Sequence, residues 1–444
     1  MEWKELTTLV GILVSHLLTM GIAGPAISFF LVDFTLSLQG SSTATIGLAH
    51  SLFFGAISVF GPLAVVVTKR IGDKEGIVIG CCMVSSGLLM TSQTKAVWQL
   101  FFTHSLVTGL GFSLMATSTI FIIGHYFNGS PVYIGFLYAG SASGMLVTPI
   151  FCAEAKVYFG FRGTLLILSA LSMNAMPISL FIFRKFSKKR RLKNNTEMKL
   201  TSNGIVEDVN TVETSFLNDG HTSDKTDRRD SIDDISTLHL YLKYPYLILL
   251  CTVRSLAEYA YIGFFIHFIA SVIYKGISER NAAFALGSYG LGSLIGRLTA
   301  FVPGHINLMK KSTEFITSML ITGTLTIIFD YIYNVYAIII CSAAIGYFIG
   351  WYLIIFPPIV RESVCVTRFK DVYGLIILPG GVVCMFAGYV IGLIYDASGL
   401  YRLSFFIAGG IFILNAVLMI IGEVAFSLKW ITKYRPPTES ANKV

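Results

Sequence analysis

The stretch "ALGSYGLGSLIGRLTAFV", residues 285–302, is apolar or small at nearly every position and carries one charge, Arg297. As a helix it is long enough to cross most of a ~30 Å hydrocarbon layer. A guanidinium inside such a layer costs roughly 2.5–3.5 kcal/mol on insertion scales, so this arginine needs either a partner or a task. Comparable apolar runs recur along the chain at about 8–32, 43–68, 76–94, 97–123, 132–152, 161–183, 243–273, 282–303, 313–330, 333–360, 371–394 and 401–428. The 444 residues are 54% hydrophobic and only 13% charged, with a mean hydropathy of +0.71. A water-soluble chain of that length needs more polar surface than this to cover its core. The pattern predicts an all-α membrane protein with twelve spans.

The charge distribution gives the expected orientation. With twelve spans, both termini and the loops holding Lys69, Arg70, Lys74, Lys310, Lys311, Arg361, Arg368, Lys370 and the block "RKFSKKRRLK" (184–193) lie on one side. That side collects 25 of the 33 Lys and Arg, and the opposite loops hold Lys95, Lys156, Arg162, Lys275, Arg280 and Arg402. Basic loops mark the cytoplasmic face, so both termini are expected there, and the sequon at Asn194 is expected to carry no glycan. The net charge of +8 is then read as topology and contact with anionic lipid, not nucleic-acid binding. The first run has no basic leader or small-residue cleavage site and reads as a retained helix. The seven cysteines lie in or beside apolar runs without ligand spacing, as small buried residues. No HExxH, P-loop or GxSxG occurs, so neither enzyme chemistry nor a cofactor is expected.

Residues 184–242 are polar and poor in aromatics and read as a disordered cytoplasmic linker, with "RRDS" around Ser231 suiting a basophilic kinase. The linker separates a six-helix bundle at 1–183 from a second at 243–428, followed by a cytoplasmic tail at 429–444. The bundles resemble each other. "FGAISVFGPLA" (54–64) aligns with "YGLGSLIGRLT" (289–299) at an offset of 235, pairing Gly55 with Gly290, Ser58 with Ser293 and Gly61 with Gly296. Val132-Tyr133, Gly140 and Phe161-Arg162 meet Val372-Tyr373, Gly380 and Tyr401-Arg402 at an offset of 240. Duplicated bundles of this kind rock about a midplane site in secondary transporters. Small residues at three- and four-residue spacing, as in "YAGSASG" (138–144) and "LPGGVVCMFAGYVIG" (378–392), allow close helix approach, whether static or sliding.

Several longer motifs are similar to those of the monocarboxylate transporters of the major facilitator superfamily. "GPLAVVVTKRIGDKEGIVIG" (61–80) resembles their helix 2–3 loop, and "GLGFSLMATSTIFIIGHYFNGSPVYIGFLYAGSASG" (109–144) their helix 4–5 signature. "GWYLIIFPPIV" (350–360) resembles their helix 10, and "GLIYDASGLYRLSFFIAGG" (392–410) the turn after helix 11, here with Asp396, Gly399 and Tyr401. The resemblance implies two pseudo-symmetric six-helix bundles and transport by alternating access. Departures are equally specific. The Gly- and Trp-rich motif before helix 1 is missing, and "NGS" (128–130) replaces a basic cluster. Pro25 stands where proton-coupled members have a lysine. Ser293 stands where they have an aspartate, while Arg297 matches their arginine.

Tyr289, Ser293 and Arg297 fall on one helical face at i, i+4 and i+8. A planar fork of donors suits a carboxylate gripped at two points; the alternative is an arginine held by backbone carbonyls or another helix. Arg254 and Glu258, four residues apart, can pair. That pair either locks helices or lets Glu258 take a proton, or exchange Arg254 for a substrate carboxylate. His104 and His16 can titrate near neutral pH or hydrogen-bond within the bundle. Trp351, with Tyr347 and Tyr352, offers an aromatic wall or ordinary membrane packing. Lys69, Arg70 and Asp73 are expected to form a cytoplasmic interlock. Asp33 is expected near the outer end of helix 1 in a structural or gating role, and Asp396 in the outer turn.

The expectation is a plasma-membrane carrier for a small carboxylate-bearing solute, monocarboxylate or amino-acid-like, running facilitatively because Pro25 and Ser293 replace the proton-coupling groups. Proton symport through Glu258 stays open, as does a membrane sensor or scaffold that kept the fold without turnover. The resemblance also implies, for some members, a single-span immunoglobulin-like partner.

Overall fold

Hydrocarbon leaves a spanning chain two ways to satisfy its backbone, helices or closed barrels, and this chain uses helices. The computed structural model describes residues 3–38, 41–126, 131–182, 245–300, 309–364 and 369–427. The expected linker at 184–242, the tail at 429–444, Asn194 and Ser231 lie outside the described residues. The first half comprises α1 (Trp3–Leu18), α2 (Met20–Ser37), α3 (Thr43–Val59), α4 (Gly61–Ile71), α5 (Asp73–Ser92) and α6 (Val97–Leu100). A π-helical stretch over Phe101–Thr108 leads into α7 (Gly109–Tyr126), followed by α8 (Pro131–Met173) and α9 (Ala175–Ile182). The second half comprises α10 (Pro245–Tyr274), α11 (Glu279–Thr299), α12 (Lys311–Phe329), α13 (Val335–Ser363), α14 (Phe369–Cys384), α15 (Ala387–Ser398) and α16 (Arg402–Ser427).

Each of the twelve apolar runs is helical over most of its described length. Among the described residues nine helices are long and apolar enough to cross a membrane, or ten if α3 and α4, bent by 53°, make one span. One of the nine, Gly135–Phe181, contains two of the sequence runs; between them Gly160 takes φ 65°, a left-handed turn that suits a residue without Cβ. α11, which carries Arg297, is not among the nine or ten. Its glycines and charges lower its apolarity, and it lies packed against α8 and α13. This arrangement is consistent with twelve spans.

The halves meet along two seams, α3 with α14 and α15, and α8 with α11, with α2 packed on α10 between them. The seams are repeat-related. A Cβ on Gly55 would lie 2.2 Å from Met385, and one on Gly290 would lie 2.5 Å from the carbonyl carbon of Met145. The offsets of 235 and 240 map Gly55 onto Gly290 and Met145 onto Met385. The duplication read in the sequence is therefore present as a pair of equivalent contacts. A further close approach is backbone to backbone: a Cβ on Gly47 of α3 would sit 2.4 Å from the Gly388 carbonyl oxygen of α15. Beside it, Ser51 Oγ accepts from the Gly388 N–H at 2.9 Å. Ser28 Oγ on α2 donates to the Phe265 carbonyl of α10 at 2.6 Å.

Gly47→Val should part this seam, because neither backbone can yield without moving a helix. Overpacking of this kind costs about 1–3 kcal/mol, roughly a five- to hundredfold shift between closed and parted conformers. A cysteine at Ser28, which is 1% exposed, should react with a small thiol reagent faster by a similar factor in the Gly47→Val background.

Candidate functional site

The 3.6-residue helical repeat puts Tyr289, Ser293 and Arg297 on one side of α11, while Gly292 and Gly296 let α13 approach the other. A Cβ on Gly296 would meet the Tyr347 carbonyl oxygen at 2.1 Å. Arg297 is 3% exposed and reaches across the seam, where Nη1 donates to the Tyr138 carbonyl of α8. Its guanidinium carbon lies 5.9 Å from the centre of the Tyr138 ring. The Arg297 Nε, the Ser293 Oγ and the Tyr289 hydroxyl are buried with no hydrogen-bond partner among the described residues. One side of α11 thus carries three buried polar groups with unused hydrogen-bonding capacity, one of them on a permanent cation.

On α10, Arg254 Nη2 lies 2.7 Å from Glu258 Oε2, and Arg254 Nη1 donates to the Tyr352 hydroxyl of α13 at 3.4 Å. The guanidinium also faces the rings of Tyr352 and Phe356, at 5.9 and 5.7 Å. The Tyr138 hydroxyl is within electrostatic reach of Arg254, Arg297 and Glu258 together, and Tyr261 is within reach of the same three charges. Five of the singled-out residues, Tyr289, Ser293, Arg297, Arg254 and Glu258, therefore share one neighbourhood between the halves. Trp351 is engaged elsewhere: its indole N–H donates to Glu314 Oε2 of α12 at 3.3 Å, and its ring packs on Tyr347. His104 lies in the π-helical stretch against His50 and Phe53. His16 Nδ1 pairs with the Ile12 carbonyl at 3.0 Å.

The residues singled out for gating fall at two ends. Lys69 and Arg70 are exposed in the last turn of α4, and Asp73 is buried at the start of α5, beyond Gly72 with φ 108°. At the other end Asp33 accepts from Lys156 Nζ at 2.8 Å, and the same ammonium holds Glu279 at 2.5 Å. That cluster joins α2 and α8 of the first half to α11 of the second. Asp396 Oδ2 accepts from the Ala44 N–H at 2.9 Å, a carboxylate of the second half on the first turn of α3, where the helix dipole favours negative charge. Sequence reasoning missed Lys156, Glu279, Tyr138 and His50. The first two had a signal, opposite charges in loops assigned to one end. Tyr138 contributes a backbone carbonyl, which no side-chain pattern announces.

A bundle of long apolar helices in two related halves, with ionised side chains buried where the halves meet, has the architecture of a polytopic membrane carrier. Residues 9–311 match the family model of the Major Facilitator Superfamily. The chain belongs to that superfamily, a family of transporters and not of enzymes. Among similar proteins, monocarboxylate transporter 12 of Xenopus laevis is 22% identical over 413 residues, covering 91% of this chain and 85% of the relative. Its counterpart in Homo sapiens is 22% identical, covering 88% and 75%. Monocarboxylate transporter 1 of Homo sapiens is 20% identical, covering 86% and 78%.

The pair on α10 makes a stability prediction. Glu258→Ala leaves Arg254 buried without its anion and should cost about 3 kcal/mol, the low end for a buried pair because the Glu258 side chain is 21% exposed. Removing both charges as Arg254→Met/Glu258→Met should restore most of that loss in denaturant unfolding of the detergent-solubilised protein.

Proposed function

We propose that this transporter moves a small carboxylate-bearing solute by alternating access, with Arg297 on the carboxylate. The observation that carries this reading is the guanidinium of Arg297, buried between the halves and resting on a neutral carbonyl with its Nε unused. A carboxylate offers a charge-assisted contact about twice as strong as a neutral one. It can therefore displace the Tyr138 carbonyl from Nη1 and be gripped by Nη1 and Nη2 as a fork, with the unused Nε left as a further donor on the other edge. The same exchange releases a contact between α8 and α11, which links binding to separation of that seam. The Tyr289 and Ser293 hydroxyls, on the same face, are the next groups such a solute meets. The names of the relatives, which specify monocarboxylates, support the substrate class.

The basic-loop asymmetry supports a plasma-membrane carrier with both termini cytoplasmic. In that orientation the Asp33–Lys156–Glu279 cluster and the Asp396 contact form the outer gate, closed in this conformation, and Lys69, Arg70 and Asp73 belong to the inner one. Movement is facilitative, since Pro25 and Ser293 carry no charge to couple protons. A second reading follows from the Arg254–Glu258 contact. If Glu258 takes a proton when a carboxylate claims Arg254, the carrier is a proton symporter.

Uptake of a radiolabelled carboxylate panel into proteoliposomes tests both. Arg297→Gln should lower uptake at least a hundredfold. Arg297→Lys, which keeps the charge but loses the planar fork, should lower it about tenfold. Facilitation predicts no effect of an inward proton gradient, and symport predicts stimulation that Glu258→Gln removes. Unchanged flux in Arg297→Gln would sink the anion-binding role.

A further inference from the structure

His50 and His104 play no part in the site just described. Both are fully buried, their ring centroids are 5.9 Å apart, and none of their four ring nitrogens has a hydrogen-bond partner among the described residues. A neutral imidazole always carries one N–H donor and one acceptor nitrogen, and an unmade buried donor or acceptor costs about 1–3 kcal/mol. Two adjacent side chains at that cost point to a ligand that reaches them in another conformation. His104 sits in the eight-residue π-helical stretch Phe101–Thr108, a departure from α geometry frequent at functional sites.

His50 is on the helix that forms the outer-gate seam, and His104 lies behind it within the first half. His50 lies on α3 between Gly47, which touches Gly388, and Ser51, which accepts from the Gly388 N–H. Across the seam, His267 Nε2 donates to the Gly388 carbonyl at 2.8 Å. The walls are aromatic: Phe34 of α2 faces His50 and Phe53 of α3 packs on His104. The titratable groups that reach His50 are His104 and His267, both of the sign that opposes a charge. Asp396 reaches His267, and among the described residues no anion reaches the pair itself.

We propose that His50 and His104 form a proton-binding site that opens to solvent only when the seam of α3 with α15 parts. Among the described residues no cluster of three or more metal-ligating side chains exists, and two imidazoles in an aromatic pocket suit a proton better than a larger cation. The sign follows from linkage. In the closed seam an imidazolium has no counter-ion and is cut off from water; in the parted seam it is hydrated. Acid on that face therefore holds the gate open, by about tenfold per pH unit per proton below the ordinary histidine range near 6.5. The site acts as a proton brake on closure, distinct from a proton carried with substrate. It rests on the alternating-access reading and is independent of Arg297.

The test uses the full-length chain in nanodiscs, in a cysteine-substituted background, with spin labels at the exposed Leu36 and Leu400, one in each half. Between pH 8 and 5.5 the long-distance population should stay low down to about pH 6.5 and grow below it, and it should stay flat throughout in His50→Gln/His104→Gln. Should that double variant fail to reconstitute, His104→Phe keeps the packing on Phe53 and should halve the steepness of the response. No substrate is needed, so failure here is distinguishable from failure of the carboxylate reading. A pH-independent wild type overturns the proposal. So does a response that survives the double substitution.

Discussion

An ionised group buried among apolar helices needs a partner, and the way each such group among the described residues finds one, or does not, organises the structure. Inside the bundle Arg254 has Glu258; at the helix ends, beside the loops, Lys156 has Asp33 and Glu279, and Arg402 has Asp330. Lys275, at the end of α10, rests on the Phe329 and Ile332 carbonyls. Burial pushes its ammonium down to about 8, so a lysine in that setting can shed its charge. Arginine has no such escape. Arg297 stays cationic on a carbonyl alone, and the neighbourhood it shares with Arg254 and Glu258 has a formal excess of one positive charge. That excess is the electrostatic ground for proposing an anionic solute.

The internal repeat shows where function departs from architecture. Gly55 against Met385 and Gly290 against Met145 are equivalent contacts in two copies. Continued by the same offsets, Arg297 falls opposite Pro62 and Tyr138 opposite Leu378. The scaffold contact was kept in both copies and the charged one is present in a single copy. Packing demands small residues at both seams, whereas the proposed anion site needs only one cation. The same contrast separates Ser58, packed against Gly381, from its counterpart Ser293, whose hydroxyl is left unpaired.

The fold was legible in the sequence because a bilayer imposes a length and an apolarity that no local ambiguity can hide. The bend at Phe60 and the turn at Gly160 were harder to see, since they preserve hydropathy while changing direction. Arg297 was equally visible, because a lone charge in an apolar run is costly wherever it lies. Its neighbours across the seam were not, because the register between α8 and α11 is set by packing that a single chain's pattern does not encode. For the same reason His104 drew notice alone, while His50, which faces it from another helix, did not. The Asp33 and Asp396 ends were legible as ends, and their partners, an ammonium and a helix N-terminus, became apparent only in three dimensions.

The seams combine two kinds of contact that respond differently to separation. Glycine backbones pressed together at Gly47 and Gly388 interdigitate no side chains, so they part without unthreading a packed core and without leaving a void of side-chain size. Dispersion at such a contact falls steeply within an ångström of separation, which makes the closed arrangement short-ranged. The polar clamps differ: Lys156 between two carboxylates and Asp396 on a helix N-terminus act over longer distances and gain water as they open. A seam with a steep apolar component and a shallow polar one favours two discrete arrangements over a graded series. On the two proposed roles, a carboxylate on Arg297 and a proton on His50, a small local change then suffices to choose between them, because each acts on a contact that differs between the two.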